Sequence, residues 1–294
     1  MESFNFGQVS TSSFVLMGIG AFIAIVVPIV IAIVWCRKKK EPITTVLIGA
    51  AAFMLFAVMI EKIIQNVLII PGQMGLPETP VSMFINARPF LLAFLLGLFP
   101  GVFEETGRLI AFKTLLRRRT WRETSISYGI GHGGVEVVFA VGISLIAYIA
   151  LGLLINSGEA VKEFEETLKA MDQPWMIEQV TGQLKTITGF DLTSLCTLLI
   201  ERVFAVLFHI GASILVFYAC RDKKKFWLYP LAIVIHTVID GIAALQIVQA
   251  VKIPSIAIEI IFVLASTATF LGAYLYLYKR DTAGGISVCE GDNS

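Results

Sequence analysis

An all-α, polytopic membrane protein is the fold class this sequence predicts, and three observations carry the prediction. The 294 residues are 56% hydrophobic and only 15% charged, with a mean hydropathy of +0.81. That balance lies outside the usual range of soluble domains. Apolar runs long enough to cross a bilayer as helices recur along the whole chain. Basic residues gather between alternate runs, the pattern that orients multi-pass proteins.

Taken in order, seven candidate helices cover residues 14–35, 43–64, 89–116, 125–155, 192–219, 227–251 and 255–278. The third is long enough to tilt or protrude. Only Lys252, Ile253 and Pro254 separate the sixth from the seventh, so one of that pair could be re-entrant. Arg37, Lys38, Lys39 and Lys40 follow the first run, and Lys113, Arg117, Arg118, Arg119 and Arg122 link the third and fourth. Arg221, Lys223, Lys224 and Lys225 follow the fifth, and Lys279 and Arg280 close the seventh. The opposite side carries only Lys62, Arg88, Lys162, Lys169, Lys185 and Lys252. The expected topology therefore puts the amino terminus outside and the carboxyl terminus in the cytosol. The net charge of +1 leaves the basic clusters as topology signals and implies no nucleic-acid partner; lipid is the expected surrounding.

The connections are less regular. Pro71, Gly72, Gly75, Pro77 and Pro80 mark a loop between the second and third runs. In the connector 157–190, Val161, Phe164, Leu168 and Met171 recur at helical spacing among charged residues. It reads as an amphipathic helix on the outer leaflet, covering apolar surface or acting as a lid over a substrate entry. Residues 281–294 read as a flexible cytosolic tail, and 1–294 as a single transmembrane domain with its core at about 89–251. No cleavable signal peptide is expected, because the first run is long and its basic residues follow it. Of the cysteines, Cys36, Cys220 and Cys289 fall on the basic side and Cys196 near the opposite end of the fifth run, which argues against a disulfide framework.

Polar residues inside these runs carry the functional reading, since ionisable groups at bilayer depth are costly and mark function. All three histidines, His132, His209 and His236, lie inside apolar runs, and a fourth run carries Glu104, Glu105 and Arg108. At about 1.5 Å per residue, Glu104 lies about 20 Å from Arg117, and His132 about 15 Å from Arg122. On the same measure His209 lies about 18 Å from Arg221 and His236 about 17 Å from Lys225. Four helices thus place their polar groups in one layer. Glu104 and Arg108, His132 and Glu136, and His236 and Asp240 are each four apart and share a helix face. Arg202 aligns with His209 seven residues on and is a secondary candidate, though Glu201–Arg202 also reads as a structural ion pair near the outer boundary. Glu61 and Glu259, close to helix ends, read as interfacial. Pro100-Gly101 one turn before Glu104 predicts a kink, and Gly129, Gly131, Gly133 and Gly134 around His132 allow close approach of another backbone.

Carboxylates, an arginine and histidines in one buried layer are what a water-activating hydrolase needs. Two other membrane classes stay open: a non-catalytic immunity or maturation factor on the same fold, and an ion or proton transporter lined by Glu and His. The motifs EETGR from Glu104, GHGGVE from Gly131 and HTVID from His236 together resemble the YhfC-type family of bacterial membrane peptidases. They are also similar to the EExxxR, FxxxH and HxxxN motifs of the CAAX-protease and bacteriocin-processing superfamily. Here one residue fewer precedes Arg108, Tyr128 stands for the Phe, and Asp240 for the Asn. The resemblance implies an intramembrane endopeptidase acting on a membrane-embedded or membrane-proximal peptide. It implies Glu104 activating water with help from His132, His236 stabilising the oxyanion, and Glu105 and Arg108 holding these groups in place. Asp240 would orient His236, stay protonated or bind metal. Glu and His ligands suit Zn2+, with Glu104, His132 and His236 as the implied set, beside a metal-independent alternative.

Overall fold

The computed structural model describes residues 7–158 and 174–281. Among them every regular element is helical, and seven helices are long and apolar enough to span a membrane. They are α1 (Thr11–Lys39), α2 (Ile43–Ile69), α4 (Pro89–Lys113), α5 (Glu123–Ser157), α7 (Leu192–Arg221), α8 (Lys223–Ile247) and α9 (Ser255–Tyr278). Two shorter helices, α3 (Pro80–Asn86) and α6 (Pro174–Thr188), lie in the connections. The chain is an integral, multi-pass membrane protein.

Each helix begins and ends for local reasons. Pro80 and Pro89 open α3 and α4 at the first helical position, where a missing N–H costs nothing. Thr79 caps α3, its hydroxyl accepting from the Ser82 amide at 3.0 Å. Gly158 ends α5 with φ 80°, the left-handed turn that glycine adopts without strain. Pro100 lies inside α4, one turn before Glu104, and removes a helix hydrogen bond there. The pitch of α2 widens to a π-helix over Met54–Glu61, and that of α5 over Val138–Ile143. Such stretches rotate the residues beyond them and are frequent at functional sites.

The chain divides into two compact units. One combines residues up to Pro28 with Val137–Arg202. Within it Asn156 ties its side chain to the backbone of Val9 at 2.8 and 2.9 Å, and the Ser13 hydroxyl donates to the Phe190 carbonyl at 2.7 Å. Leu184 and Ile187 of α6 are buried. The expected amphipathic stretch around Val161–Met171 lies outside the described residues, as does the tail beyond Asp281.

The other unit joins Ile29–Glu136 to residues from Val203 onward. Its core is built on α7, where Phe208, Ala212, Ile214, Val216 and Phe217 are all buried. Phe217 meets Phe112 edge-on at 5.4 Å. Apolar residues such as Leu47, Phe94 and Val238 instead face outward, as lipid-facing side chains do. Two helix pairs come unusually close. A Cβ at Gly131 of α5 would lie 1.9 Å from the Val46 carbonyl oxygen of α2. A Cβ at Gly97 of α4 would lie 2.5 Å from the backbone nitrogen of Gly241 in α8. Without side chains there, backbones pack directly, α5 on α2 and α4 on α8.

Candidate active site

The second unit gathers the polar groups of four helices. From α4 come Glu104, Glu105 and Arg108, from α5 His132 and Glu136, from α7 His209, and from α8 His236 and Asp240. Glu105 and Arg108 are fully buried, and Glu104, His132, His209 and His236 are nearly so. Glu136 and Asp240 are the exceptions, their side chains 18% and 37% exposed.

Arg108 is the hub. Its Nη1 donates to the His209 carbonyl and to Ser213 Oγ, both at 2.9 Å. Its Nη2 meets His132 Nε2 at 3.1 Å and His209 Nδ1 at 2.9 Å. Its Nε pairs with Glu105 Oε2 at 3.2 Å, off line for a hydrogen bond, and Glu104 Oε2 lies 3.9 Å from Nη2. A guanidinium only donates, and its fork is planar and rigid. This one therefore fixes the positions of both imidazoles and both carboxylates.

Glu104 reaches its neighbours through a single oxygen. Oε2 lies 2.9 Å from His132 Nε2 and 4.0 Å from His209 Nδ1. His132 and His209 lean together with ring centroids 4.8 Å apart. Phe53 and Phe208 close over them edge-on. The other nitrogen of His209, Nε2, contacts Glu136 Oε2. On the far side His236 Nδ1 meets Glu105 Oε1 at 2.9 Å, and its Nε2 faces Asp240 Oδ2 at 3.4 Å.

This arrangement has an unfilled requirement. A neutral imidazole nitrogen is either donor or acceptor, not both. If His132 Nε2 accepts from Arg108, its lone pair also faces the Glu104 carboxylate. If it carries hydrogen and donates to Glu104, it faces the Arg108 N–H. Either state leaves one poor contact unless a proton or a cation sits between Glu104 and His132. Glu104, Glu105 and Glu136 also outnumber Arg108, the one permanent cation among the described residues of the cluster, and buried carboxylates require neutralisation. Donor atoms of Glu104, His132 and His209 lie within 4.8 Å of one another, and a Glu/His/His set is a good zinc donor set. The residues present therefore fit a metal ion.

Several expectations are redrawn. The resemblance implied Glu104, His132 and His236 as ligands, but the compact group contains His209, because His236 is turned toward Glu105. Glu136 shares a helical stripe with His132 yet contacts His209, since it lies where α5 passes α7. Arg202 pairs with Glu201 and belongs to the other compact unit. Glu61, read as near a helix end, is buried inside the protein. It is 1% exposed, pairs with Lys62 at 3.2 Å, and is near enough to His236 and Asp240 to interact with them electrostatically. Sequence reasoning misses Ser213, although its place four residues after His209 puts it on the same face. Tyr128 is fully buried in the second turn of α5, its hydroxyl without a hydrogen-bond partner among the described residues.

Residues 23–262 match the model of the YhfC intramembrane metalloprotease family, and the chain belongs to that family. It is 27% identical over 239 residues to the uncharacterized membrane protein YhfC of Bacillus subtilis (strain 168), covering 81% of this chain and 86% of that protein. No solved structure matches the chain.

Proposed function

We propose that this protein is an intramembrane endopeptidase whose water-activating centre is formed by Glu104, His132 and His209. The observation that carries the reading is the convergence of Glu104 Oε2, His132 Nε2 and His209 Nδ1, three lone-pair-bearing atoms around one point. Zinc held by these three residues would acidify a bound water and polarise the scissile carbonyl.

The remaining work falls to the chain's own groups. Glu104 meets Arg108, His132 and His209 through Oε2, which leaves Oε1 to take the proton of the attacking water and return it to the departing amine. Glu136 orients His209 through Nε2, as second carboxylates commonly orient catalytic imidazoles. Arg108 holds both imidazoles and spans Glu104 and Glu105, so the carboxylates keep their separation. His236, held through Nδ1 by Glu105 with Nε2 3.4 Å from Asp240, would serve the tetrahedral oxyanion by turning that Nε2–H away from Asp240. Asp240, the most exposed member, connects that imidazole to the edge of the cluster. A peptide within or beside the membrane is the substrate class that such a buried site suits.

The decisive experiment compares cleaved membrane peptides in cells carrying the wild type or Glu104→Gln. Gln keeps size and hydrogen bonding but cannot accept the proton, so processing should fall roughly 10²–10⁴-fold. Unchanged processing would remove this mechanism. Metal content of purified His132→Ala and His209→Ala proteins tests the ligand set separately, and both should drop below wild type.

A further inference from the structure

A second polar region lies at the basic end of the same compact unit. The α1–α2 connection, the α4–α5 connection and the end of α9 enclose a cavity of about 870 Å³. That is far more than the roughly 30 Å³ share of a single water.

Its acids are already engaged. Glu123 Oε1 accepts from Arg122 Nε at 3.3 Å and from the Tyr278 hydroxyl at 3.2 Å. Asp281 Oδ2 accepts from the Tyr218 hydroxyl at 2.8 Å. Glu41 accepts from Thr124 at 3.3 Å and Thr45 at 3.4 Å. Arg122 is occupied as well, donating to the carbonyls of Tyr278 at 3.2 Å and Asp281 at 2.7 Å.

Four lining cations remain. Among the described residues, Lys39, Lys40, Arg119 and Lys279 have no carboxylate within ion-pair distance. The Arg119 guanidinium donates to a neutral group, Thr44 Oγ1, at 3.1 Å. Lys40 has φ 56°, a left-handed position after a helix that glycine ordinarily fills. A lysine there bears backbone strain and places a cation on the cavity wall. Trp121 also lines the cavity, 60% exposed, as aromatic residues at head-group level are. Ile43, next in sequence to the lining residue Pro42, and Tyr276, one turn before the lining residue Lys279, are both exposed.

We infer that this cavity binds the phosphate group of an anionic phospholipid, held by Lys39, Lys40, Arg119 and Lys279. Basic pockets between membrane helices recognise lipid head groups by this chemistry. An occupant would bridge three chain segments and brace the start of α5, the helix that carries His132 about 12 Å further along. Lipid binding here does not depend on the proposed peptidase activity.

The test uses the full-length chain in a zwitterionic detergent and follows its unfolding midpoint. The added probes are short-chain phosphatidylglycerol, short-chain phosphatidylcholine and inorganic phosphate at equal concentration. A ligand that binds the folded state raises the midpoint. Phosphatidylglycerol should raise it, and the other two should not. Lys39→Gln/Lys279→Gln should weaken the apparent affinity roughly tenfold or more, since each basic side chain contributes about 1 kcal/mol to anionic-lipid binding. Lys38→Gln, beside the cavity but not lining it, should leave the response intact. If the double variant fails to fold, Lys279→Gln alone carries the comparison. Equal stabilisation by phosphatidylcholine, by free phosphate, or of the lysine variants overturns the inference.

Discussion

The buried cluster of α4, α5, α7 and α8 and the cavity at the basic end are both rich in charge, and they settle it in opposite ways. In the cluster, each charged group lies against another, although the carboxylates outnumber Arg108. Arg108 alone reaches Glu104, Glu105, His132, His209 and Ser213. Around the cavity the acids are satisfied locally, while four cations stay without an acidic partner among the described residues. A low-dielectric interior punishes any unpaired charge. A site open to water does not. The difference is one between a buried network of mutually paired groups and an open surface whose cations lack acidic partners at ion-pair distance.

That contrast breaks most readily at Arg108. Arg108→Leu removes the permanent cation at the centre of the cluster and leaves Glu105 without its arginine partner. Unfolding measured in detergent should show a loss of about 3–5 kcal/mol, the cost of breaking a buried ion pair from one side. A Lys39→Gln substitution at the cavity should by comparison barely move the midpoint of the lipid-free protein. Equal effects would mean that the two regions hold their charges in the same way.

Backbone approach gives a sharper, intermediate test. Gly131→Ala inserts a Cβ against the Val46 carbonyl, where neither backbone can yield without moving α2 or α5. A destabilisation of about 1–3 kcal/mol is expected from overpacking. Activity should fall with it, because His132 is the next residue. Gly18→Ala, with open space around its Cβ position, should be neutral or slightly stabilising. A harmless Gly131→Ala would show that the cluster tolerates sliding of α5.

The smallest effect is expected at Glu41, on the cavity side. Burial pushes its carboxyl above the ordinary 4.5, while Thr124, Arg119, Ser127 and Thr45 pull the other way. A raised acid stabilises the folded state while protonated, and that contribution is lost as pH rises through the folded value. Glu41→Gln should therefore be more stable than wild type at neutral pH by about 1 kcal/mol or less. The gap should close below the ordinary value of 4.5. Thermal unfolding across pH would read this. Removing the negative charge should also strengthen binding of phosphatidylglycerol, and a weaker response would count against the cavity's role.

Much of the candidate site is legible in the amino-acid order alone. Helical spacing puts Glu104 with Arg108 and His236 with Asp240 on common faces, and counting residues from the basic clusters puts four helices' polar groups in one layer. Both quantities depend only on the regular rise and turn of a helix. The burial of Glu61 is not legible in this way, because it depends on the helices packed around α2. His209 is only half legible: it matches no motif, so nothing along the chain distinguishes a ligand from a satisfied interhelical donor.

The sequence by itself determined a membrane-spanning, all-helical chain and the residues that share a face on each helix. Hydrophobic length and helical periodicity are local properties, and they require no knowledge of neighbours. Only the tertiary structure decided the pairing: Glu104 with His132 and His209, Glu105 with His236, Glu136 with His209, and Arg108 at the hub. Those choices depend on how each helix is rotated about its own axis. That rotation is set by contacts between helices, such as Gly131 against Val46 and Gly97 against Gly241, which join residues far apart in the chain.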